Sequence, residues 1–233
     1  MYRIDKKSKT DVFFDLDHTL WDFETNSAKA FERVFDRYKV PFSLEQFLHY
    51  YIDINEAYWE RYSLNQVTQE ELRLGRLKET FYQLDYEADV STLEQYSKSY
   101  LEELPKNNYL FDGAIELLEY LKDKYALHIL TNGFQEVQYK KIKNAKIDTY
   151  FQTITDSEVA GEKKPHPTIF NYALHQAKVT PAESVMIGDN VIADIQGALD
   201  VGIDAIHFNP LMDKSKPSPV SQVKHLLDIK DIL

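Results

Sequence analysis

Two carboxylates, Asp15 and Asp17, stand one residue apart, directly after the apolar run Val12, Phe13 and Phe14 and shortly before Thr19. Acids this close repel one another and invite either a shared proton or a divalent cation. Three further groups could act with them: the turn Thr131-Asn132-Gly133, the pair Lys163-Lys164 ahead of Pro165, and Gly188-Asp189-Asn190 with Asp194 one helical turn later. A threonine hydroxyl followed by backbone N–H groups suits phosphate oxygens, and Lys164 adds a point charge. The acids offer the hard oxygens that Mg2+ prefers, with no histidine or thiolate required. Singly, each group has an ordinary structural reading: an acidic turn, a turn-forming threonine, a Lys-Pro loop, an aspartate capping a helix. Their order along the chain is what points to chemistry.

Most of these groups follow a segment that reads as a buried strand. Apolar runs predict strands at 12–14, 126–130, 153–155, 184–187 and 204–208. Helical spacing falls between them, at 112–124, 135–144, 168–178 and 191–201, and a last helix is expected near 220–232 after a proline-containing tail. Alternation of this kind predicts an α/β fold with a doubly wound parallel sheet, a Rossmann-like core. Strand ends in such a sheet share one edge, so the candidate groups converge there. Residues 21–104 break the alternation. Four helical patterns, at 24–38, 43–62, 69–82 and 90–103, occur there without a strand and with Gly75 as the one glycine. Ser43 with Gln46 and Thr68 with Glu71 have the spacing of capping boxes. The expected division is a core of residues 1–20 and 105–233 with a helical insertion at 21–104.

At 233 residues the chain is long enough for such a core and its insertion. A hydrophobic share of 43% against 28% charged residues is the balance of a soluble globular protein. The net charge of −11 argues against a nucleic-acid polymer or a membrane surface as partner, so positive charge for an anionic substrate must be supplied locally. The absence of cysteine excludes disulfides, thiolate metal sites and cysteine nucleophiles. No apolar run approaches the length of a membrane span, and MYRIDKKSKTD lacks the apolar segment of a signal peptide, so the cytoplasm is the expected location.

DLDHT, LTNG, KKP and GDNVIAD resemble, in order, the four motifs of the haloacid dehalogenase-like hydrolases, with the helical insertion in the place of that family's cap. The resemblance implies Asp15 as a nucleophile that forms an aspartyl-phosphate and Asp17 as the general acid/base. It implies phosphate binding by Thr131 and the amides of Asn132 and Gly133, with Lys164 as the lysine of the third motif. Mg2+ would be held by Asp15, Asp189 and the backbone carbonyl of Asp17. Asn190 stands where serine is commoner, and Asp194 supports the lysine or a metal-bound water. A carboxylate at Asp17 separates the family's phosphatases from its dehalogenases, while His18 reads as a turn residue. LTNGFQEVQYKKI and SEVAGEKKPHPTIF are similar to the pyrimidine 5′-nucleotidase branch, which implies a small phosphomonoester substrate, a nucleoside 5′-monophosphate. Alternatives are a sugar-phosphate or phosphoglycolate-type phosphatase and a phosphomutase of the same fold. Phe23, Tyr51, Tyr58 and Trp59 either stack on a base or form the insertion's own core.

Overall fold

The run after Asp11 has no polar face to turn to solvent, and β1 (Asp11–Phe14) is buried at every position. It lies inside a six-stranded parallel sheet with β2 (Ala126–Thr131), β3 (Phe151–Asp156), β4 (Ser184–Gly188), β5 (Asp204–Phe208) and β6 (Gln222–Val223). The order is β3-β2-β1-β4-β5-β6, the doubly wound arrangement that the alternation predicts. Phe14 pairs with Ile129 of β2 and Ile187 of β4, so these three strands run out at one level. The winding reverses between β1 and β4, where such a sheet leaves a crevice for ligands. Phe13, Leu130, Met186 and Ala205 of the sheet pack with Ile169, Phe170, Ile195 and Ala198 in one buried cluster.

The computed structural model describes residues 4–212 and 218–233. The chain divides into an α/β unit, Met1–Phe23 with Asn108–Leu233, and a helical unit, Glu24–Asn107. Trp21 and Phe23 therefore belong to the α/β unit and not to the insertion. The backbone of Trp21 bridges those of Asp17 and Leu110, which ties it to the sheet side of the boundary.

The helical unit comprises α1 (Phe23–Tyr38) from its second residue onward, α2 (Leu44–Ser63), α3 (Gln69–Gln83) and α4 (Val90–Glu103). Both expected capping boxes form, at the starts of α2 and α3. Phe31 stacks on Tyr100 at 4.1 Å and meets Phe47 and Tyr51 at 4.6 and 4.7 Å, so Tyr51 is part of the unit's own core. Gly75 sits in the middle of α3, where glycine costs about 1 kcal/mol relative to alanine. A Cβ there would lie 2.6 Å from the Tyr58 ring, so the glycine admits that ring. At the unit's ends, Arg33 donates to Glu103 at 2.7 Å and to Asn107 at 3.1 Å, and Asn107 donates to the Asn26 carbonyl at 3.1 Å. Burial alone would raise the Glu103 carboxyl, but hydrogen bonds from Lys106, Arg33 and Arg37 outweigh it and hold it at about 2.

Of the α/β unit's helices, α5 (Ala114–Leu121), α6 (Gln135–Asn144) and α8 (Pro167–Ala177) follow their expected positions, with the short α7 (Ser157–Ala160) and α9 (Gly197–Asp200) besides. The last expected helix is not there. Gln222 and Val223 instead pair with His207 and Phe208 at the sheet edge, and Leu226–Asp231 form a 3-10 helix. Buried Val220, Val223, Leu226 and Ile229 recur every third residue, a spacing that suits the three-residue turn as well as the α-helix. Residues 213–217 of the proline-containing tail lie outside the described residues.

His128 of β2 is buried, with Nε2 2.9 Å from Asp11 Oδ1 and Nδ1 2.8 Å from Thr153 Oγ1. Burial lowers its pKa, against the pull of the Asp11 charge. A base whose folded-state pKa is depressed costs stability as pH falls through its unfolded value of about 6.5. The urea midpoint should therefore fall between about pH 7.5 and about pH 5.5 by more in the wild type than in His128→Gln. Equal falls in the two proteins would rule out this source of acid sensitivity.

Candidate active site

Past Phe14 the chain turns at once. Leu20 and Trp21 N–H both donate to the Leu16 carbonyl, at 3.0 and 2.8 Å, and His18 N–H donates to the Trp21 carbonyl at 3.0 Å. His18 takes a φ of +63° in this turn, with its ring 4.9 Å from that of Phe23. Its place is that of a turn residue. The loop gives Asp15 and Asp17 different partners.

Asp15 joins a buried lysine. Lys164, 1% exposed, places Nζ 2.6 Å from each of Asp15 Oδ1, Asp194 Oδ1 and the Leu130 carbonyl. An ammonium has three N–H donors, and three oxygens face this one. Burial alone would lower the Lys164 pKa; the charges of Asp15 and Asp194 outweigh it and hold the ammonium protonated. The loop carrying Lys164 is fixed by Asn132, whose Nδ2 donates to the Lys164 carbonyl at 2.9 Å and whose Oδ1 accepts from Lys164 N–H at 2.7 Å. The Asn132 side chain is thus a bracket for the lysine. Its N–H, not its amide group, is what it can offer a ligand.

Asp17 joins a second group of residues. Its Oδ1 accepts from Lys141 Nζ at 2.6 Å and its Oδ2 from Gln138 Nε2 at 2.9 Å. Gln138 also donates to Thr131 Oγ1 at 2.7 Å, and Gly133 N–H donates to the same oxygen at 3.1 Å. With both acceptor positions taken, the Thr131 hydroxyl keeps its own hydrogen to donate. Gly133 is required by this packing, since a Cβ there would come within 2.2 Å of Gln138. Gln138 and Lys141 are the site residues that a motif-by-motif reading misses. The available signal is a glutamine and a lysine one turn apart on α6, at positions that are both buried.

The end of β4 supplies the remaining acids. Asp189 accepts from the Thr19 hydroxyl at 3.2 Å, and His207 Nε2 lies 3.0 Å from the Asp189 carbonyl. Val191–Gln196 form a π-helix, where an α-helix is expected from 191. Asn190 caps it, accepting from the N–H groups of Ile192 and Ala193 at 3.0 and 2.8 Å. The widened turn brings Asp194 back over the strand end, where Oδ2 accepts from Asn190 N–H at 3.0 Å. A Cβ on Gly188 would lie 2.3 Å from Asp194, so glycine is required there as well.

Carboxylate oxygens of Asp15, Asp189 and Asp194 all lie within 4.8 Å of one another. Burial pushes the Asp15 carboxyl well above its usual range, opposed by Lys164 and reinforced by Asp194 and Asp189. Asp189 keeps some contact with solvent, yet desolvation by the surrounding protein and then the Asp194 charge push it up to about 7, against Lys164. Three carboxylates share one ammonium here. The excess negative charge and the all-oxygen donor set fit a hard divalent cation. Thr19 engages one oxygen of Asp189, which keeps the second to offer a cation, while Lys164 engages Asp15 Oδ1 and leaves Oδ2 clear of the lysine. The Asp17 carboxylate lies outside this acidic cluster. Among the described residues no helix is long and apolar enough to cross a membrane.

Residues 12–208 match the family model described as haloacid dehalogenase-like hydrolase. The chain is 31% identical to YfnB of Bacillus subtilis over 225 residues, 95% of this chain and 94% of that one. A crystal structure of YfnB bound to magnesium matches with a TM-score of 0.88 and 27% identity, covering 97% of this chain and 98% of that one. Pyrimidine 5′-nucleotidase PynA of Streptococcus pneumoniae is 30% identical over 226 residues, covering 95% and 94%. Glyceraldehyde 3-phosphate phosphatase of Pyrococcus furiosus is 30% identical over 202 residues, covering 84% and 79%.

A carboxylate whose folded-state pKa is raised destabilises the fold at any pH above its unfolded value, because folding disfavours its ionised form. Metal-free Asp189→Asn should therefore melt above the metal-free wild type, by roughly 2–4 °C for each kcal/mol relieved. Saturating Mg2+ should raise the melting temperature of the wild type and leave that of Asp189→Asn nearly unmoved. A wild type indifferent to Mg2+ would exclude this cluster as the cation site.

Proposed function

Because the chain belongs to the haloacid dehalogenase-like hydrolases, we propose that it is a Mg2+-dependent phosphatase of small phosphomonoesters that works through an aspartyl-phosphate on Asp15. One observation carries this reading: Asp15 and Asp17 are separated only by Leu16 yet held by different cations, Lys164 and Lys141. Two carboxylates in separate surroundings can take separate roles. Asp15, fixed through Oδ1 by Lys164, presents Oδ2 as the nucleophile. The bond from Oδ2 to phosphorus forms as the ester oxygen leaves, and Asp17 supplies the proton that oxygen needs. Water then attacks the phosphorus, Asp17 takes its proton, and Asp15 is released with free phosphate.

The Thr131 hydroxyl and the Asn132 N–H bind the phosphoryl oxygens, with the Gly133 N–H spent on Thr131 Oγ1 and Lys164 balancing charge beside them. Asp15, Asp189 and the backbone carbonyl of Asp17 would hold Mg2+, which when bound offsets the repulsion between the acids and the phosphate dianion. Asp194 and Asn190 act indirectly, the first by holding Lys164 and the second by shaping the π-turn that positions Asp194.

For the substrate, the match to PynA along 95% of this chain supports a pyrimidine nucleoside 5′-monophosphate, with the helical unit supplying selectivity among leaving groups. The comparable identity to a glyceraldehyde 3-phosphate phosphatase supports a second reading, a small sugar phosphate. Free phosphate released from a panel of monoesters decides between them. On the first reading dUMP, dTMP and UMP exceed purine monophosphates and sugar phosphates in kcat/KM, by roughly 5–30-fold for each stacking contact with the base. Faster hydrolysis of a triose or hexose phosphate at low concentration would favour the second.

Two substitutions test the mechanism. Asp15→Asn should fold and retain no more than about 1% of turnover, since an amide attacks phosphorus poorly. Asp17→Asn should lose roughly 10²–10⁴-fold. The Asp17→Asn loss should be smaller with p-nitrophenyl phosphate, whose leaving group needs no proton. Equal losses on both substrates, with phosphorylation rate-limiting, would remove Asp17 as the acid.

A further inference from the structure

The side chain of Asp17 is held by two residues that lie outside the four motifs. One carboxylate is gripped at both oxygens by two donors from the same face of α6, Gln138 at 2.9 Å and Lys141 at 2.6 Å. Each donor is itself held. Gln138 is fully buried, bonded through the same nitrogen to Thr131 at 2.7 Å and packed where Gly133 has no side chain. Lys141, 2% exposed, places its ammonium 4.2 Å from the ring centroid of Trp21 and 5.4 Å from that of Phe23. Trp21 is fully buried, and its backbone bridges that of Asp17. One short loop therefore provides both the carboxylate and the aromatic platform under its partner.

A lysine at a buried helix position is an expensive way to hold a helix in place. Val137 and Ile142 already give α6 an apolar inner face, and a buried ion pair is often no more stabilising than apolar residues of similar volume. What the pair does provide is direction. Asp17 follows β1 on a tight turn, and without Lys141 and Gln138 its side chain would be free to choose among rotamers. A proton donor misplaced by about 1 Å can cost on the order of 100-fold.

We propose that Lys141, with Gln138, is a positioning residue for Asp17, fixing the direction in which that carboxylate meets the leaving-group oxygen. The proposal rests on the acid/base role given to Asp17 above, and its tests separate the two. In Lys141→Met, kcat on the best nucleotide or sugar phosphate should fall roughly 10–100-fold with KM within about threefold. The fall with p-nitrophenyl phosphate should be smaller, and Lys141→Arg should restore part of the loss. Gln138→Met provides a second variant, expected to act in the same direction, if Lys141→Met folds poorly. A crystal structure of either apolar variant should show the Asp17 carboxylate turned to another rotamer. Equal losses on both substrates that track the folded fraction, or an unmoved Asp17, would reduce Lys141 to a structural ion pair. Full turnover by Asp17→Asn would overturn the acid/base role itself, and the crystallographic result would still decide whether Lys141 aims the side chain.

Discussion

The ammonium of Lys164 is the point on which the site's architecture converges. A cation with almost no solvent contact is tolerable only when each N–H finds an oxygen, and here two carboxylates and a carbonyl close around it. Those three oxygens come from the ends of β1 and β2 and from the π-turn beyond β4. Asn132 fixes the backbone of the lysine, Gly188 leaves room for Asp194, and Asn190 shapes the turn that carries Asp194 inward. If one of these slipped, a buried charge would be left uncompensated. The edge of the sheet is thus rigid for an electrostatic reason as well as a packing one.

The chain's acidity makes the placement of its cations informative. With a net charge of −11, the protein repels anions at long range, so an anionic substrate must be drawn by groups near at hand. Lys164 and Lys141 are both almost completely buried, one against Asp15 and the other against Asp17. Their separation keeps two neighbouring carboxylates in unlike surroundings, which simple spacing along the chain would not achieve.

Much of this was legible in the amino-acid sequence, and the reasons differ by element. The parallel, doubly wound character of the sheet follows from alternation and handedness, and the starts of α2 and α3 follow from capping chemistry that acts over three residues. Asp15, Thr131 and Asp189 fall at strand ends, so local pattern brought them to one edge, and Lys164 reaches the same edge from the loop between α7 and α8. The contacts of Asp17 were not legible, because Lys141 and Gln138 lie more than a hundred residues away on a helix whose polar inward positions look like surface ones. The π-turn at Val191 was also hidden, since its apolar spacing matches that of an α-helix. The final segment misled for a related reason: a three-residue repeat of buried side chains does not distinguish a 3-10 helix from an α-helix, and the two residues of β6 are too few to alternate.

The bond from Asn107 to the Asn26 carbonyl, with Arg33 reaching both Glu103 and Asn107, has a meaning beyond local stability. It places the point where the chain enters the helical unit beside the point where it leaves. An insert whose ends meet costs its host little loop-closure entropy, and the host need only supply two neighbouring attachment points. A segment built in this way can be lengthened, exchanged or lost by recombination while the strands on either side keep their register. The helical unit is in this sense a replaceable part, and the sheet edge that carries the acids is the fixed one.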